Sequence, residues 1–308
     1  MEMTRWLITG GAGFIGSHLV EALVTRGASV RVLDNFSTGR WENLAPVRDR
    51  IEIIEGDIRD PRMVESATDG VEVIAHLAAI VSVQASLEAP RETMDVNIGG
   101  TLNLLEAARR AGTRRCLFAS SAAVYGDHSN LPLPEDLPPR PLSPYAASKV
   151  AGEALCQTYQ SAYGLRTVVL RFFNVYGPRQ DPHSPYSGVI SIFLGRMRQN
   201  LPPVVYGDGS QTRDFIFVGD VVAAMLRAGE QDGLAGAVLN VSRGEETPVI
   251  QLVTLLNRAL GTHLEPVFAP PRAGEVHRSA GDPHRARALL GWQPSVGLEE
   301  GLARLVAT

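Results

Sequence analysis

The chain is poor in several things at once, and each shortage removes a class of answer. Its 308 residues include only two cysteines, Cys116 and Cys156. Two thiols, one in an apolar run and one in a helical pattern, suit a reducing compartment better than a disulfide framework. No apolar run approaches the length of a membrane span. Met1 to Arg5 leads straight into a strand pattern, without the apolar segment and small-residue cleavage site of a secretory leader. The expectation is a cytoplasmic protein with no membrane partner. Charge is also nearly balanced, 29 basic against 33 acidic residues for a net −4, so no general attraction to nucleic acid is expected. An anionic ligand would have to be held by local arginines. Histidines 76, 128, 183, 263, 277 and 284 are scattered and neither cysteine lies at a ligand-like spacing from them, so no metal site is expected.

What is present begins at the N-terminus. The apolar run Trp6-Leu7-Ile8 is followed by Thr9-Gly10-Gly11-Ala12-Gly13-Phe14-Ile15-Gly16, an amphipathic helix closed by Gly27, a second apolar run from Val30 to Leu33, and then Asp34-Asn35. Strand, glycine turn, helix, strand and acidic residue in that order predict a dinucleotide site. Gly10 would turn the chain, Gly13 would let backbone approach a diphosphate, and Gly16 would let the helix pack closely. Asp34 would accept both ribose hydroxyls of NAD and repel a 2′-phosphate.

Short apolar runs then alternate with longer helical patterns: strands near 4–9, 30–34, 51–54, 72–76, 115–120 and 167–172, and helices near 16–26, 92–111 and 144–163. This alternation predicts an α/β fold, a Rossmann-type doubly wound parallel sheet. After Asn174 the texture changes, with Gly177-Pro178, Asp181-Pro182, Ser184-Pro185 and Pro202-Pro203 interrupting the chain. Residues 1–173 are expected to form the NAD-binding domain. Residues 174–308 are expected to form a smaller C-terminal α/β substrate-binding region, with segments near 215–241 returning to the first domain.

Ser143-Pro144-Tyr145-Ala146-Ala147-Ser148-Lys149 is the second anchor. Ser143 reads as an N-cap and Pro144 as the first helical residue, so Tyr145 and Lys149 fall at i and i+4 on one face. An isolated Tyr-x-x-x-Lys is commonplace on amphipathic helices. Behind a nucleotide turn it suggests a phenol whose proton affinity is lowered by the ammonium and by a cationic nicotinamide, able to take a hydroxyl proton.

At these residues the chain resembles the extended short-chain dehydrogenase/reductases, and within them the UDP-hexose 4-epimerases. The resemblance runs through Thr9 to Gly16, Asp34-Asn35, Gly56-Asp57-Ile58, His76-Leu77-Ala78-Ala79, Ser120 to Gly126, Tyr145 to Lys149, and Arg171 to Arg179. It implies Ser121, Tyr145 and Lys149 as the catalytic set. For the cofactor it implies Gly10, Gly13, Phe14, Ile15, Gly16, Asp34, Asn35, Asp57, Ile58, Leu77, Ala78, Ala79, Asn97 and Phe172, with Tyr145 and Lys149. For a UDP-sugar it implies Val83, Asn174, Val189, Tyr206, Arg213, Arg272, Glu275 and Ser279, with Ser121. Arg213 and Arg272 can each give paired hydrogen bonds to phosphate. The helices 92–111 and 144–163 resemble a pair that forms a four-helix homodimer interface.

Relatives that dehydrate or decarboxylate the sugar resemble one another in carrying acidic residues just before the position of Tyr125. Here Ala122 and Ala123 stand there, and methyl groups move no protons. What remains is oxidation at C4, rotation of the 4-keto sugar, and reduction from the other face. Ser279, at the family's gate position, leaves room for a 2-acetamido group, so the resemblance is closest to epimerases of UDP-N-acetylglucosamine and UDP-N-acetylgalactosamine, and the expected substrates are that pair, UDP-glucose and UDP-galactose, or both. Asp181 stands where UDP-glucuronate epimerases resemble one another in carrying an arginine, which disfavours that alternative. A 4-ketoreductase using free NADH, and a non-catalytic NAD-binding protein, are the other readings.

Overall fold

The computed structural model describes residues 4–181, 188–271 and 276–308. The first half forms β1 (Arg5–Thr9), β2 (Ser29–Asp34), β3 (Glu52–Glu55), β4 (Val73–His76), β5 (Arg115–Ser121) and β6 (Thr167–Phe172). Between them run α1 (Phe14–Thr25), α2 (Pro61–Thr68), α3 (Val83–Glu88), α4 (Pro90–Met94), α5 (Thr101–Ala111) and α6 (Pro144–Tyr163). Beyond Phe172 come β7 (Asn174–Tyr176), α7 (Val189–Arg198), β8 (Val204–Tyr206), β9 (Thr212–Arg213), β10 (Phe215–Phe217), α8 (Val218–Glu230) and β11 (Ala237–Val241). The chain continues through β12 (Thr247–Pro248), α9 (Val249–Leu260), β13 (Val267–Ala269), α10 (His284–Leu290) and α11 (Leu298–Val306). Among the described residues, no helix is long and apolar enough to cross a membrane.

Seven strands make one parallel sheet in the order β11-β6-β5-β4-β1-β2-β3. Side chains alternate between its faces, as strand geometry requires. Trp6, Ile8, Val32, Leu117, Val168 and Leu239 pack under α1 and α8 on one face, while Leu7, Leu33, Ile74, Phe118 and Val169 pack under α2, α5 and α6 on the other. Helices on both faces explain why the strands read as continuous apolar runs. A third cluster, around Phe193, Val205, Phe215, Leu252 and Leu256, is built from the later elements. The expected strands and the principal helices all form, and β11 joins the main sheet beside β6.

Two departures have physical reasons. The expected single helix over 92–111 starts at Pro90 and contains a π turn, Asp95–Gly100, between α4 and α5. At Gly100 a Cβ would lie 2.4 Å from Ile58 Cδ1, so the widened turn brings the backbone against Ile58. Helices α2 and α3 had no place in the sequence expectation, although each has a signal. The Asp60 carboxylate accepts from Arg62 N ahead of Pro61, and Ser82 Oγ accepts from Ala85 N.

The strand ends are tied together by a directed chain of hydrogen bonds through His76. The Thr101 hydroxyl donates to Asn97 O at 2.6 Å, so the proton between Thr101 Oγ1 and His76 Nε2, 2.9 Å apart, is the imidazole's. His76 Nδ1 therefore accepts from the Thr9 hydroxyl at 2.7 Å, and Thr9 Oγ1 accepts from Ala78 N at 3.2 Å. One neutral tautomer satisfies the whole chain and pins the β4 exit beside the β1 exit.

Burial, with a smaller contribution from the Lys149 charge, pulls the His76 pKa from 6.5 down to about 3. An unfolded chain takes up this proton below about pH 6.5, whereas the folded one does not until near pH 3. The stability from this group is complete above pH 6.5 and is lost as pH falls, by about 2 kcal/mol between pH 6.5 and 5. Denaturant unfolding at neutral and mildly acidic pH checks this, and His76→Gln should flatten that part of the slope.

Helix α6 lies unusually close to β5. A Cβ at Gly152 would sit 2.3 Å from Phe118 Cζ, closer than any real contact. Gly152→Ala should cost about 1–3 kcal/mol of stability by overpacking. Because α6 also carries Tyr145 and Lys149, the variant should lose turnover at temperatures where circular dichroism shows it folded. Full activity there would mean that the helix position is not what sets the site.

Candidate functional site

The turn after β1 assigns its glycines distinct tasks. Gly10 has φ +70°, in the left-handed region, and a Cβ there would meet Ala78 N at 2.8 Å. A Cβ on Gly16 would strike Gly10 O at 2.1 Å, so this residue is needed for helix packing. Gly13 meets nothing nearer than Gly10 O at 3.2 Å, leaving its outer side open. Gly13 is also the N-cap of α1, and no side chain caps that end and no acidic residue sits in its first turn. The leading N–H groups around Phe14 and Ile15 therefore lack a side-chain acceptor, which is the arrangement a diphosphate completes.

Asp34 ends β2 nearly buried, with Oδ2 accepting from Ala12 N and Oδ1 from Phe36 N, both at 2.9 Å. Burial raises its proton affinity against those two bonds. The carboxylate thus braces the glycine turn and keeps lone pairs for ribose hydroxyls. Asn35 Nδ2 donates to Asp57 Oδ2 at 3.0 Å, and the Arg59 guanidinium on Asp57 holds that carboxyl down at about 2. These residues fit a bound NAD: an uncapped helix start, a carboxylate at the β2 end, and Leu77 to Ala79 emerging beside Gly10. Phe172 is buried at the end of β6.

Ser143 and Pro144 start α6 as the sequence suggests, with Ser143 Oγ accepting from Ala146 N at 3.1 Å. Tyr145 and Lys149 face β5, both nearly buried. Lys149 Nζ donates to Ala119 O at 2.8 Å and lies 5.1 Å from the Phe118 ring centroid and 5.9 Å from that of Tyr145. Ser121, at the end of β5, is the side chain that lowers the proton affinity of the Tyr145 phenol, and its Oγ accepts from Ala123 N at 3.1 Å. Serine, phenol and ammonium therefore converge where β5 meets the start of α6.

The electrostatics correct one expectation. Burial raises the Tyr145 phenol above its ordinary value, partly offset by Ser121, and burial pulls Lys149 down to about 8 against the Glu153 charge. In the protein alone desolvation dominates and Ser121 is the group that opposes it, so a lowered phenol would depend on the cationic nicotinamide.

Two of the expected cofactor residues have their side chains engaged within the protein. Both amide hydrogens of Asn97 are spent inside the protein, on Ile80 O and Ser148 Oγ, each at 2.9 Å, and its Oδ1 accepts from Ile80 N at 2.8 Å. Asn97 fixes the segment after β4 from within the π turn, a role that only the bulged helix makes visible. The Ile58 side chain is a buried core group against Gly100, leaving its backbone to line a site.

At the other end, Asn174 on β7, Val189 opening α7 and Arg213 on β9 are half-buried, Tyr206 ends β8, Ser279 is nearly buried, and Val83 opens α3 with an exposed side chain. Arg213 Nη1 donates to Thr212 O at 2.8 Å. Arg272 and Glu275 lie outside the described residues; β13, which precedes them, pairs with β8 next to Tyr206. Asp181 pairs with Arg40 at 2.6 Å. Its charge is thereby matched, which weakens the expectation that it repels a uronate.

Sequence reasoning passed over one residue and one feature of another. Asp214 is fully buried and accepts from Arg243 N, Gly244 N and Gly281 N at 2.9, 2.9 and 3.2 Å, with burial pushing it up to about 6. An acid entering the apolar run Phe215-Ile216-Phe217 was its signal. The other is a matter of counting: Lys149 is the only lysine in the chain, the other 28 basic residues being arginine. Arginine is permanently charged and forked, so a lone lysine marks a place that requires a compact ammonium.

Residues 6–242 match the NAD dependent epimerase/dehydratase family. A UDP-glucose 4-epimerase of Mycolicibacterium smegmatis is 46% identical over 306 residues, 98% of this chain and 97% of the relative. The crystal structure of UDP-glucose 4-epimerase with UDP-glucose from Thermotoga maritima superposes with a TM-score of 0.95 at 40% identity, covering 99% of this chain and 98% of that one. UDP-N-acetylglucosamine 4-epimerase from Methanobrevibacter ruminantium, in complex with UDP-N-acetylmuramic acid, gives 0.95 at 35% identity, with 100% and 98% covered. Matching along almost its whole length, and carrying the glycine turn, the β2 carboxylate and the Ser-Tyr-Lys cluster, this chain belongs to the NAD dependent epimerase/dehydratase family.

Proposed function

We propose that the protein is an NAD-dependent UDP-hexose 4-epimerase acting on UDP-glucose and UDP-galactose and on their 2-acetamido counterparts. The observation that carries this reading is the convergence of Ser121, Tyr145 and Lys149, with only Ala122 and Ala123 following Ser121. Bound NAD supplies the acceptor and donor for the hydride at C4. The chain's own residues handle the proton. Ser121 orients the C4 hydroxyl, Tyr145 takes its proton as the ketone forms and gives it back on reduction, and Lys149 holds the cofactor ribose while its positive charge favours the phenolate.

Asp34, the turn at Gly10 to Gly16, Asn35, Asp57, and Leu77 to Ala79 hold the cofactor in this reading, and Asn97 braces the last of these. Asn174, Val189, Tyr206, Arg213, Arg272 and Glu275 hold the UDP end, leaving the sugar free to turn between the two faces. Ser279, small and close behind the Asp214-anchored Gly281, leaves space for an acetamido group. The helices α5 and α6 carry Leu102 and Tyr163 exposed, which supports a homodimer through that face. Two buried free cysteines support a reducing, cytoplasmic location.

The test uses the purified protein without added cofactor, incubated separately with UDP-glucose and UDP-N-acetylglucosamine, with products identified by proton NMR. Galacto epimers from both are expected, with no consumption of external NADH. Conversion of UDP-glucuronate alone would favour the uronate reading, and stoichiometric NADH consumption a ketoreductase. Tyr145→Phe should keep its bound NAD and lose about 10²–10⁴-fold in turnover. Activity near wild type in that variant would remove Tyr145 as the base.

A further inference from the structure

Behind Lys149 lies a buried ionic cluster that the reaction itself does not use. One turn further along α6, on the same face, Glu153 accepts from Arg171 Nε at 2.9 Å, from Arg171 Nη2 at 2.7 Å and from the Ser120 hydroxyl at 2.5 Å. The side chains of Arg171 and Glu153 are 5% and 6% exposed. Arg171 is in register with Ser120 across β5 and β6, stacks 4.7 Å over the Tyr125 ring, and donates from Nη1 to Glu135 O at 3.0 Å. Replacing a buried ion pair with apolar residues of similar volume is often neutral or stabilising. Its location invites another explanation.

Lys149 needs a counter-charge. Its hydrogen-bonded protein acceptor is a single carbonyl, and a buried ammonium is costly without a compensating charge. The titratable groups facing it come from four elements. On α6, burial raises the Tyr145 phenol and the Cys156 thiol, so both are neutral at working pH. On β5, the Cys116 thiol is pushed up to about 12 and Phe118 offers only its ring face. On β4, His76 is locked neutral by its two threonines. From β6, Arg171 adds a positive charge, which is paired with Glu153. Among the described residues, the carboxylate acting on Lys149 is that of Glu153.

We propose that Glu153, gripped by Arg171 and Ser120, is the buried counter-charge that keeps the chain's sole lysine an ammonium at its working position, a positioning residue acting through Lys149. The same grip fixes Ser120, the neighbour of both Ala119, which receives the ammonium, and Ser121, which meets the phenol. One carboxylate thus sets the charge of Lys149 and the placement of the strand end opposite it. The charge effect rests on geometry independent of turnover, while its consequence for rate rests on the role assigned to Lys149 above.

The sole lysine makes the test direct, because protein grown with isotope-labelled lysine gives one side-chain resonance. That resonance is titrated in the wild type, Glu153→Gln, Glu153→Asp and the double variant Glu153→Gln/Arg171→Gln, all as purified. The double variant covers the case in which Arg171, left unpaired, prevents the single variant from folding. The Lys149 midpoint should fall by at least half a pH unit in Glu153→Gln, fall by less in the double variant, which also removes the positive charge of Arg171, and recover most of the shift in Glu153→Asp. The alkaline limb of kcat should move with it. An unchanged Lys149 midpoint in a folded glutamine variant would overturn the proposal. A lowered midpoint with an unmoved kcat profile would support the counter-charge and remove Lys149's assigned part in the reaction.

Discussion

The separation between α6 and β5 is the constraint on which the site depends. Gly152 lets the helix lie against the Phe118 ring, and at that separation Lys149 reaches the Ala119 carbonyl, Tyr145 meets Ser121, and Glu153 reaches Ser120. Three side chains spaced along one helical face thus meet successive residues of one strand. A larger residue at 152 would loosen all three contacts together, because they share a single rigid-body coordinate.

Closeness also excludes water, and that exclusion governs the chemistry. Burial pushes Tyr145, Cys116 and Cys156 toward their neutral forms and pulls Lys149 and His76 toward theirs. Without counter-charges the site would contain no ions. Charge appears where the chain supplies a specific partner: Arg171 for Glu153, Arg59 for Asp57, and backbone N–H groups for Asp34 and Asp214. A positively charged cofactor ring entering beside Tyr145 would therefore act through low dielectric, where its effect on the phenol is strongest.

Much of this architecture was legible in the sequence because long-period signals survive without tertiary context. The apolar strands of the sheet, the glycine turn and the Ser-Pro start of α6 each have a local cause, and each appears where expected. The elements that escaped notice are short or tertiary. β7, β9, β10 and β12 have two or three residues apiece, too few to show a period, and exist because a distant strand supplies their partner. Asn97 could be read as a ligand-facing amide until the π turn revealed both its hydrogens committed inward. Spacing led to the expectation that Lys149 lowers the phenol; the raising effect of burial could not be anticipated, since it depends on neighbours far away in the chain.

The solitary lysine has one more consequence. With every other basic side chain an arginine and Lys149 nearly buried, the folded surface offers no primary amine apart from the α-amino group at the start of the chain. Reagents that acylate or cross-link amines will find almost nothing to attack on the native protein. Opening of α6 from β5 would uncover a single new target, so the rate of amine labelling becomes a clock for that one movement.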